Sequence, residues 1–263
     1  MASLLETPQP SETAVSAEEW ALRVDLAAAY RLVAHFGWDD LVFTHLSARV
    51  PGPDHHYLIN PYTHMFDEIT ASSLVKIDLD GNKIDDTPAP VNQAGFVIHS
   101  AIHGAREDAA AVIHLHTPHG QAVAAMASGL LPHSQTAMAA VHDIAYHDFE
   151  GIATDVDERE RLVADLGAKH AMILRNHGTL TVGRTVSQAF IRMYFLERAC
   201  EAQVLMLSAG RDGLNEPNDG VAEKVAEQVA SPASAEGMRN LAEHLIWPAL
   251  LRKLDRIDPS FRT

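Results

Sequence analysis

The sequence predicts a layered α/β domain, and two observations lead to that prediction. Segments with the composition of β-strands alternate with segments of helical periodicity along most of the 263 residues, as in a sheet that is covered by helices. Hydrophobic residues make up 47% of the chain and charged residues 21%, which is typical of a globular protein with a large core. The pattern contains no internal repeat and no second core, so we expect a single domain.

A flexible leader and then a helix are expected at the start of the chain. Residues 1–15 contain prolines and small polar residues, which predict the leader. Ser16 and Glu19 have the spacing of a capping box, and apolar residues then recur at helical spacing. Gly37 ends the predicted helix, because glycine readily adopts the left-handed conformation that closes helices.

Strands are predicted in the next part of the chain. Residues 41–50 and 57–60 have strand character on either side of a turn that contains proline and glycine, and residues 74–79 predict one arm of a hairpin. From Asn92 onward the pattern becomes helical. Strands and helices then alternate, with strands at 110–114 and 171–175 and helices at 118–127, 156–166 and 186–209.

The C-terminal part is expected to pack on the same domain. Residues 210–235 are rich in glycine, proline and small polar residues, and predict a surface connection with one helical turn. Residues 237–256 predict a terminal amphipathic helix. We therefore expect a main domain at 16–210, followed by a connection and C-terminal helix at 211–263.

The charge of the chain argues against nucleic-acid and membrane partners. Thirty-five acidic against 20 basic residues give a formal net charge of −15, which repels phosphodiester backbones and anionic lipids. The sequence also lacks the apolar stretch of a membrane span and the pattern of a signal peptide. The single cysteine, Cys200, is expected to pack inside a helix. These features predict a cytoplasmic protein that acts on a small molecule.

Histidines cluster in the middle of the chain, with eight of the sixteen between His99 and His147. His114 and His116 are two positions apart on a predicted strand, so both side chains project to the same face. That spacing suits one metal ion. Hydrogen bonding to water at the strand exit is the alternative.

A third imidazole follows another predicted strand. His177 comes just after residues 171–175 and before Gly178. Three neutral imidazoles with an open fourth position are typical of a catalytic metal site, since structural zinc prefers four closed ligands. The alternative is that His177 is only a turn residue.

Seven segments, in this order, give the chain a resemblance to the class II aldolase/adducin family, closest to its adducin-head branch. They are FTHLSAR (43–49), LINP (58–61), EITASSLVKI (68–77), VNQAGF (91–96), IHSAI (98–102), AVIHLHTP (111–118) and ILRNHG (173–178). The resemblance implies a three-layer α/β/α sandwich, usually a homotetramer, whose metal is held by His114, His116 and His177. We expect one divalent ion, zinc first, with iron, manganese, cobalt or nickel as alternatives, because imidazole binds all of them.

The chain also departs from the aldolases of this family. Their acid/base glutamate lies four residues before His99, where this sequence has Gly95. Their phosphate-binding turns of small residues are replaced by bulkier pairs, which makes a phosphorylated substrate unexpected. The pairs are Thr44-His45, Tyr62-Thr63 and Gln93-Ala94.

The remaining chemistry favours a lyase that depends little on a base. A divalent ion can still stabilise a developing enolate, and decarboxylation needs no base at the breaking bond. His99 is the first candidate for proton transfer because helical spacing places it beside Gly95, and a packing role is the alternative. His45, His64 and His103 are further candidates. If any of these histidines acts as the base, aldol cleavage is also an open alternative.

Other residues are candidates for substrate contacts. His45, Asn60 and Gln93 are predicted to bind substrate, and Tyr146 is predicted to take part in catalysis, reaching the site of a neighbouring subunit as the corresponding loop does in relatives. Capping or turn roles are the alternatives for Asn60, Gln93 and Tyr146.

Three functions remain open from the sequence. The first is a metal-dependent lyase, a decarboxylase or an aldolase-like enzyme, for a small non-phosphorylated oxo- or hydroxy-acid. The second is a non-haem iron oxygenase, since three histidines with open positions also bind Fe(II). The third is a non-catalytic oligomeric module like the adducin head.

Overall fold

A seven-stranded mixed sheet forms the centre of the protein in a computed structural model that describes residues 14–151 and 157–263, without the side chains of residues 93–96. The strand order is β3-β2-β1-β4-β7-β6-β5. The strands are β1 (His45–Arg49), β2 (Tyr57–Ile59), β3 (Val75–Ile77), β4 (Ala111–Leu115), β5 (Ile144–His147), β6 (Ala171–Leu174) and β7 (Gly178–Gly183).

Helices cover both faces of the sheet, which confirms the predicted single α/β domain. The helices of the described part are α1 (Ala17–His35), α2 (Gln93–Ala105), α3 (Pro118–Ala124), α4 (Gln135–Ala140), α5 (Glu158–Leu166), α6 (Val186–Leu207), α7 (Val221–Ala230), α8 (Pro232–Asn240) and α9 (Trp247–Ile257). The largest apolar cluster joins α1, α6 and α9 to one face, and a second cluster joins α2 and α5 to the other. No described helix combines the length and apolarity that crossing a bilayer requires.

Most neighbouring strands of the sheet run antiparallel. Among the described strands, only β5 and β6 pair in parallel, whereas β4 is antiparallel to both of its neighbours, β1 and β7. The tight turn between β6 and β7 replaces the crossover helix that parallel strands need. The histidine pair still lies where β4 ends.

Two local predictions were wrong for identifiable reasons. The strand predicted at 41–50 begins only at His45, because Leu41 (φ 53°) and Thr44 (φ 64°) adopt left-handed backbone conformations that a strand cannot contain. The connection predicted at 210–235 contains all of α7 and the start of α8. Ser231 caps α8, and the proline in its first turn favours the helix.

The C-terminal end of the chain is helical. A π-helical stretch, Leu241–Ile246, joins α8 to the strongly amphipathic α9, and both pack on the main domain. Residues 1–13 of the predicted leader lie outside the described residues, so that prediction and the boundary at residue 16 stay predictions.

The first helix begins and ends as its sequence predicts. The Ser16 hydroxyl accepts a hydrogen bond from the backbone of Glu19, and Gly37 follows the helix at φ 67°. Inside the helix, the fully buried Arg23 donates to the Glu19 carboxylate at 3.0 Å, to Asp85 at 3.2 Å and to the carbonyl of Leu74 at 2.8 Å. This network ties α1 to the segments around β3.

Replacing Arg23 should destabilise the fold. We expect Arg23→Met to lower the free energy of unfolding by about 3 kcal/mol, because the Leu74 carbonyl and Asp85 lose a donor and the buried Glu19 keeps only Lys76 as an ionic partner. Denaturant unfolding measures the change. The matched control is Arg198→Met, which removes an exposed arginine paired with Glu201 and should cost less than about 0.5 kcal/mol. Equal losses in the two variants would contradict the role of the network.

Candidate metal centre

The three predicted histidines meet at one end of the sheet. His114 lies near the end of β4, His116 just beyond it, and His177 in the turn from β6 to β7. Their ring centroids form a nearly equilateral triangle with sides of 4.7, 4.8 and 4.8 Å. One ring nitrogen from each lies within 4.8 Å of the other two. The described residues therefore include a group that can hold a divalent ion.

Local backbone geometry brings the two ligand segments together. In β4, Ile113 and Leu115 pack toward α1 and α6, so alternation sends His114 and His116 to the opposite face. A Cβ on Gly178 would lie 2.4 Å from the Leu115 carbonyl oxygen. Only glycine allows this approach, which keeps the neighbouring His177 beside β4.

Hydrogen bonds fix the tautomers of the first two histidines. Nδ1 of His114 lies 3.0 Å from the carbonyl oxygen of Thr179, and Nδ1 of His116 lies 3.2 Å from a carboxylate oxygen of Asp40. Both partners only accept hydrogen bonds, so both Nδ1 atoms carry hydrogen. In the neutral imidazoles, Nε2 then holds a lone pair. Burial, followed by the nearby His177, lowers the pKa of His114 and keeps it neutral.

The Nε2 atoms of His114 and His116 converge. They are 3.0 Å apart, so a hydrogen or a metal ion held between them joins the two rings. Two nitrogens bound to one tetrahedral zinc ion, each at about 2.0–2.1 Å, lie about 3.3 Å apart. Burial and then His116 lower the pKa of His177 to about 4, so its ring is also neutral near pH 7. This donor set fits a divalent metal.

A second group of histidines lies between the sheet and α2, and we name it the buried histidine chain: His99, Ser47, His103 and the carbonyl of Ala109. Nδ1 of His103 donates to the Ala109 carbonyl at 2.7 Å. Its Nε2 therefore accepts from the Ser47 hydroxyl at 2.7 Å, and Ser47 accepts from Nδ1 of His99 at 2.6 Å. Burial lowers the pKa of His103 to about 3, which supports these neutral tautomers.

The buried histidine chain ends at Nε2 of His99. This atom is buried and has no hydrogen-bond partner among the described residues. Burial, with His45 second, holds the pKa of His99 well below its ordinary value, so Nε2 carries a lone pair. The ring of His45 lies 4.1 Å from that of His99 and 5.9 Å from that of His114. We name His114, His116 and His177 the triad. His45 thus lies between the triad and the buried histidine chain.

Two other predicted site residues, Asn60 and Tyr146, have hydrogen-bond partners outside the triad. Asn60 accepts from the buried Tyr30 hydroxyl at 2.9 Å. The Tyr146 hydroxyl accepts from the backbone of Leu130 at 3.1 Å, and Arg175 stacks over its ring. The side chain of Gln93 lies outside the described residues.

Sequence reasoning missed the residues that orient the histidines. Asp40 lies in the loop before β1, in which Leu41 and Thr44 have left-handed backbone conformations. Thr179 belongs to β7, a strand that was not predicted. Ser47 was passed over because a serine at a strand position carries no distinctive signal. Alternation along β1 could have found it, since it shares a face with His45.

Comparisons with known proteins agree with this architecture. The family model "Class II Aldolase and Adducin N-terminal domain" matches residues 24–204. A Caulobacter vibrioides protein named "Putative aldolase class 2 protein" is 55% identical, over 94% of both chains. Alpha-adducin from Mus musculus is 42% identical over 91% of this chain and 34% of its own length.

Solved structures are also similar to this chain. An aldolase II superfamily protein from Pseudomonas syringae is 51% identical with a TM-score of 0.87, over 96% of this chain and 99% of its own. L-fuculose 1-phosphate aldolase from Glaciozyma antarctica PI12 is 29% identical with a TM-score of 0.78, over 98% of this chain and 97% of its own.

The buried histidine chain should make the metal-free protein sensitive to acid. His103 has a folded-state pKa of about 3 against about 6.5 when unfolded. Between these values the unfolded chain binds a proton that the folded protein excludes, so stability falls as pH falls. The contribution is about 1.4 kcal/mol per pH unit. Urea unfolding between about pH 7 and 4 should show a slope smaller by that amount in His103→Gln. Identical slopes in both proteins would contradict the neutral tautomer.

Proposed function

Because the chain belongs to the class II aldolase and adducin family, whose members are typically metal-dependent lyases, we propose that it is a divalent-metal-dependent carbon–carbon lyase. The proposed substrate is a small non-phosphorylated oxo- or hydroxy-acid. The observation that carries the proposal is the convergence of His114, His116 and His177, with one ring nitrogen from each within 4.8 Å of the other two. In this group the Nε2 atoms of His114 and His116 are 3.0 Å apart, which suits binding to one ion.

In this proposal His114, His116 and His177 hold the ion, with zinc as the first candidate. When bound, the ion polarises a substrate carbonyl or carboxylate and stabilises the negative charge that develops as the carbon–carbon bond breaks. The Thr179 carbonyl and the Asp40 carboxylate orient two of the rings. Phe149, half-exposed beside His177, places an apolar surface next to the triad and helps to exclude water.

A phosphorylated substrate is not part of the proposal, although one similar structure is named for L-fuculose 1-phosphate. The positions of the phosphate-binding turns hold larger side chains in this sequence. One of them, His45, is buried and occupies the space between the triad and His99. Backbone amides cannot surround a phosphate closely where such a ring stands.

Proton transfer is assigned to His99 in the proposal. Its Nε2 is held unprotonated by the buried histidine chain and can accept the hydrogen ion of the substrate hydroxyl, which becomes a carbonyl as the adjacent carbon–carbon bond breaks. Tyr146 is proposed only for the site of a neighbouring subunit, since its hydroxyl is already bonded to Leu130. His45, Asn60 and Gln93 remain proposed substrate contacts, and Asn60 would have to share its side chain with Tyr30.

The proposal includes a homotetramer in the cytoplasm. The buried, unpaired thiol of Cys200 fits a reducing compartment. Size-exclusion chromatography with light scattering measures the assembly, and a monomer would remove any cross-subunit role for Tyr146.

The similarity to alpha-adducin keeps a non-catalytic oligomeric module as the second candidate function. That function requires no stoichiometric metal, so metal content separates it from the lyase. Oxygen uptake by the iron-loaded protein tests the remaining alternative, an iron oxygenase.

Removing one imidazole should abolish metal binding. We expect the wild-type protein to contain about one divalent ion per chain and His114→Ala to contain almost none, because two ligands hold an ion weakly. Elemental analysis after purification without added metal measures the content. His244→Ala, which removes an exposed histidine in the π-helical stretch, is the control and should retain its metal. Full metal content in His114→Ala would show that the site is wrong.

Removing the proposed base should slow aldol cleavage and spare decarboxylation. We expect His99→Gln to release pyruvate from γ-hydroxy-α-oxovalerate about 10²–10⁴-fold more slowly, since the hydroxyl proton has no acceptor. Pyruvate release from oxaloacetate should change less than about tenfold, because decarboxylation needs no base at the breaking bond. The control is Ser100→Ala, which removes a buried hydroxyl on the same helix that is not part of the buried histidine chain. Equal losses for both acids would contradict the assignment.

A further inference from the structure

A buried carboxylate joins the two segments that carry the metal-binding histidines. Glu197 lies in α6 and is only 3% exposed. Its Oε1 accepts a hydrogen bond from the Thr179 hydroxyl at 2.8 Å, and its Oε2 accepts one from the Thr117 hydroxyl. Thr117 directly follows His116, and Thr179 is two residues after His177. We name these three residues the carboxylate clamp.

The clamp lies on the other face of the sheet from the imidazoles. The side chains of Thr179 and Thr181 point to α6, where they bond to Glu197 and to the Ala189 carbonyl. His114 projects to the face of α2, yet its Nδ1 bonds to the backbone carbonyl of Thr179. One residue therefore connects the carboxylate on one face to a ring on the other.

Close packing shows that the position of Glu197 is tightly defined. A Cβ on Gly120 would lie 2.7 Å from the Thr117 hydroxyl, 3.0 Å from Oε1 of Glu197 and 3.0 Å from the Thr179 methyl. The backbone of Gly120 donates to the Thr117 hydroxyl at 3.0 Å, so the single hydrogen of that hydroxyl is left for Glu197. The clamp leaves no space for a side chain at position 120.

Fold stability alone does not account for this arrangement. Removing a carboxylate from water is costly, and an apolar residue of similar size in α6 could fill the same volume at less cost. Each carboxylate oxygen accepts a hydrogen bond from a different segment that carries metal-binding histidines. An apolar side chain cannot accept either bond. The carboxylate thus supplies a geometric constraint between the end of β4 and the start of β7.

We propose that Glu197 is a positioning residue that sets the affinity of the histidine triad for its divalent ion. By fixing Thr117 and Thr179, it holds the segments of His116 and His177 at one separation and keeps the Thr179 carbonyl on Nδ1 of His114. This inference rests on the proposed metal site. Residues that orient metal ligands typically change metal affinity by about 10–100-fold when they are replaced.

The test is zinc affinity, measured by competition with a chromophoric chelator in the full-length protein. Glu197→Gln keeps the shape of the side chain, but its amide nitrogen cannot accept a hydrogen bond. We expect zinc to bind about 10–100-fold more weakly. The control is Glu201→Gln, which removes a negative charge one helical turn away, from a residue paired with Arg198; its zinc affinity should stay within about twofold of wild type.

Variants of Thr179 separate positioning from general stability. Thr179→Ser keeps the hydroxyl and should retain wild-type zinc affinity, whereas Thr179→Val keeps the shape without the hydroxyl and should match Glu197→Gln. The double variant Glu197→Gln with Thr179→Val should lose little more than either change alone, because both break the same bond. Thermal unfolding of the metal-free proteins, recorded in parallel, should not rank the variants in the order of their zinc affinities.

Each outcome distinguishes the clamp from the metal site itself. If the wild-type protein binds zinc and Glu197→Gln binds it equally well, the clamp is wrong and the proposed function stands. If wild-type protein binds no zinc, the metal site fails and the clamp with it. Should Glu197→Gln not fold, the comparison of Thr179→Val with Thr179→Ser decides, and equal affinities in those two variants overturn the proposal.

Discussion

The close approach of two ring nitrogens is the constraint on which the proposed site depends. Thr179 and Asp40 accept hydrogen bonds from the Nδ1 atoms of His114 and His116, and the Nε2 atoms of the two rings lie 3.0 Å apart. Without those acceptors either neutral ring could change its tautomer. The fold thus prepares the donor atoms before any ion arrives, which lowers the reorganisation that binding requires.

The two faces of the sheet differ in the side chains that they carry around this site. On the α2 face, His45, Ser47 and Arg49 alternate along β1 and meet His99 and His103. On the α6 face, the intervening residues of β1 and β4 enter the main apolar core. The polar face can be specialised for chemistry because the other face supplies packing, and Glu197 places a buried carboxyl group in the packed face.

The sequence was sufficient to predict the triad and insufficient to predict what orients it. His114 and His116 follow from the period of a strand, and His177 from its place after an apolar strand before glycine, because these signals are local. Asp40, Thr179 and Glu197 act across chain separations of 76, 65 and 80 residues, where a single sequence gives no spacing to read. The same limit applies to the fold: helices and strands followed from periodicity, but antiparallel pairing of β4 depends on turns such as the one that contains the left-handed Asn176.

The buried histidine chain terminates on the carbonyl of Ala109, and a carbonyl oxygen cannot pass a hydrogen ion onward. A hydrogen ion can therefore enter the buried histidine chain at His99 but cannot leave it for water at the other end. A hydrogen ion that enters at Nε2, a buried atom, must leave by the same atom. In the proposed cleavage, the hydrogen ion accepted from the substrate hydroxyl would be the one delivered to the other fragment, so one ring nitrogen would serve first as base and then as acid.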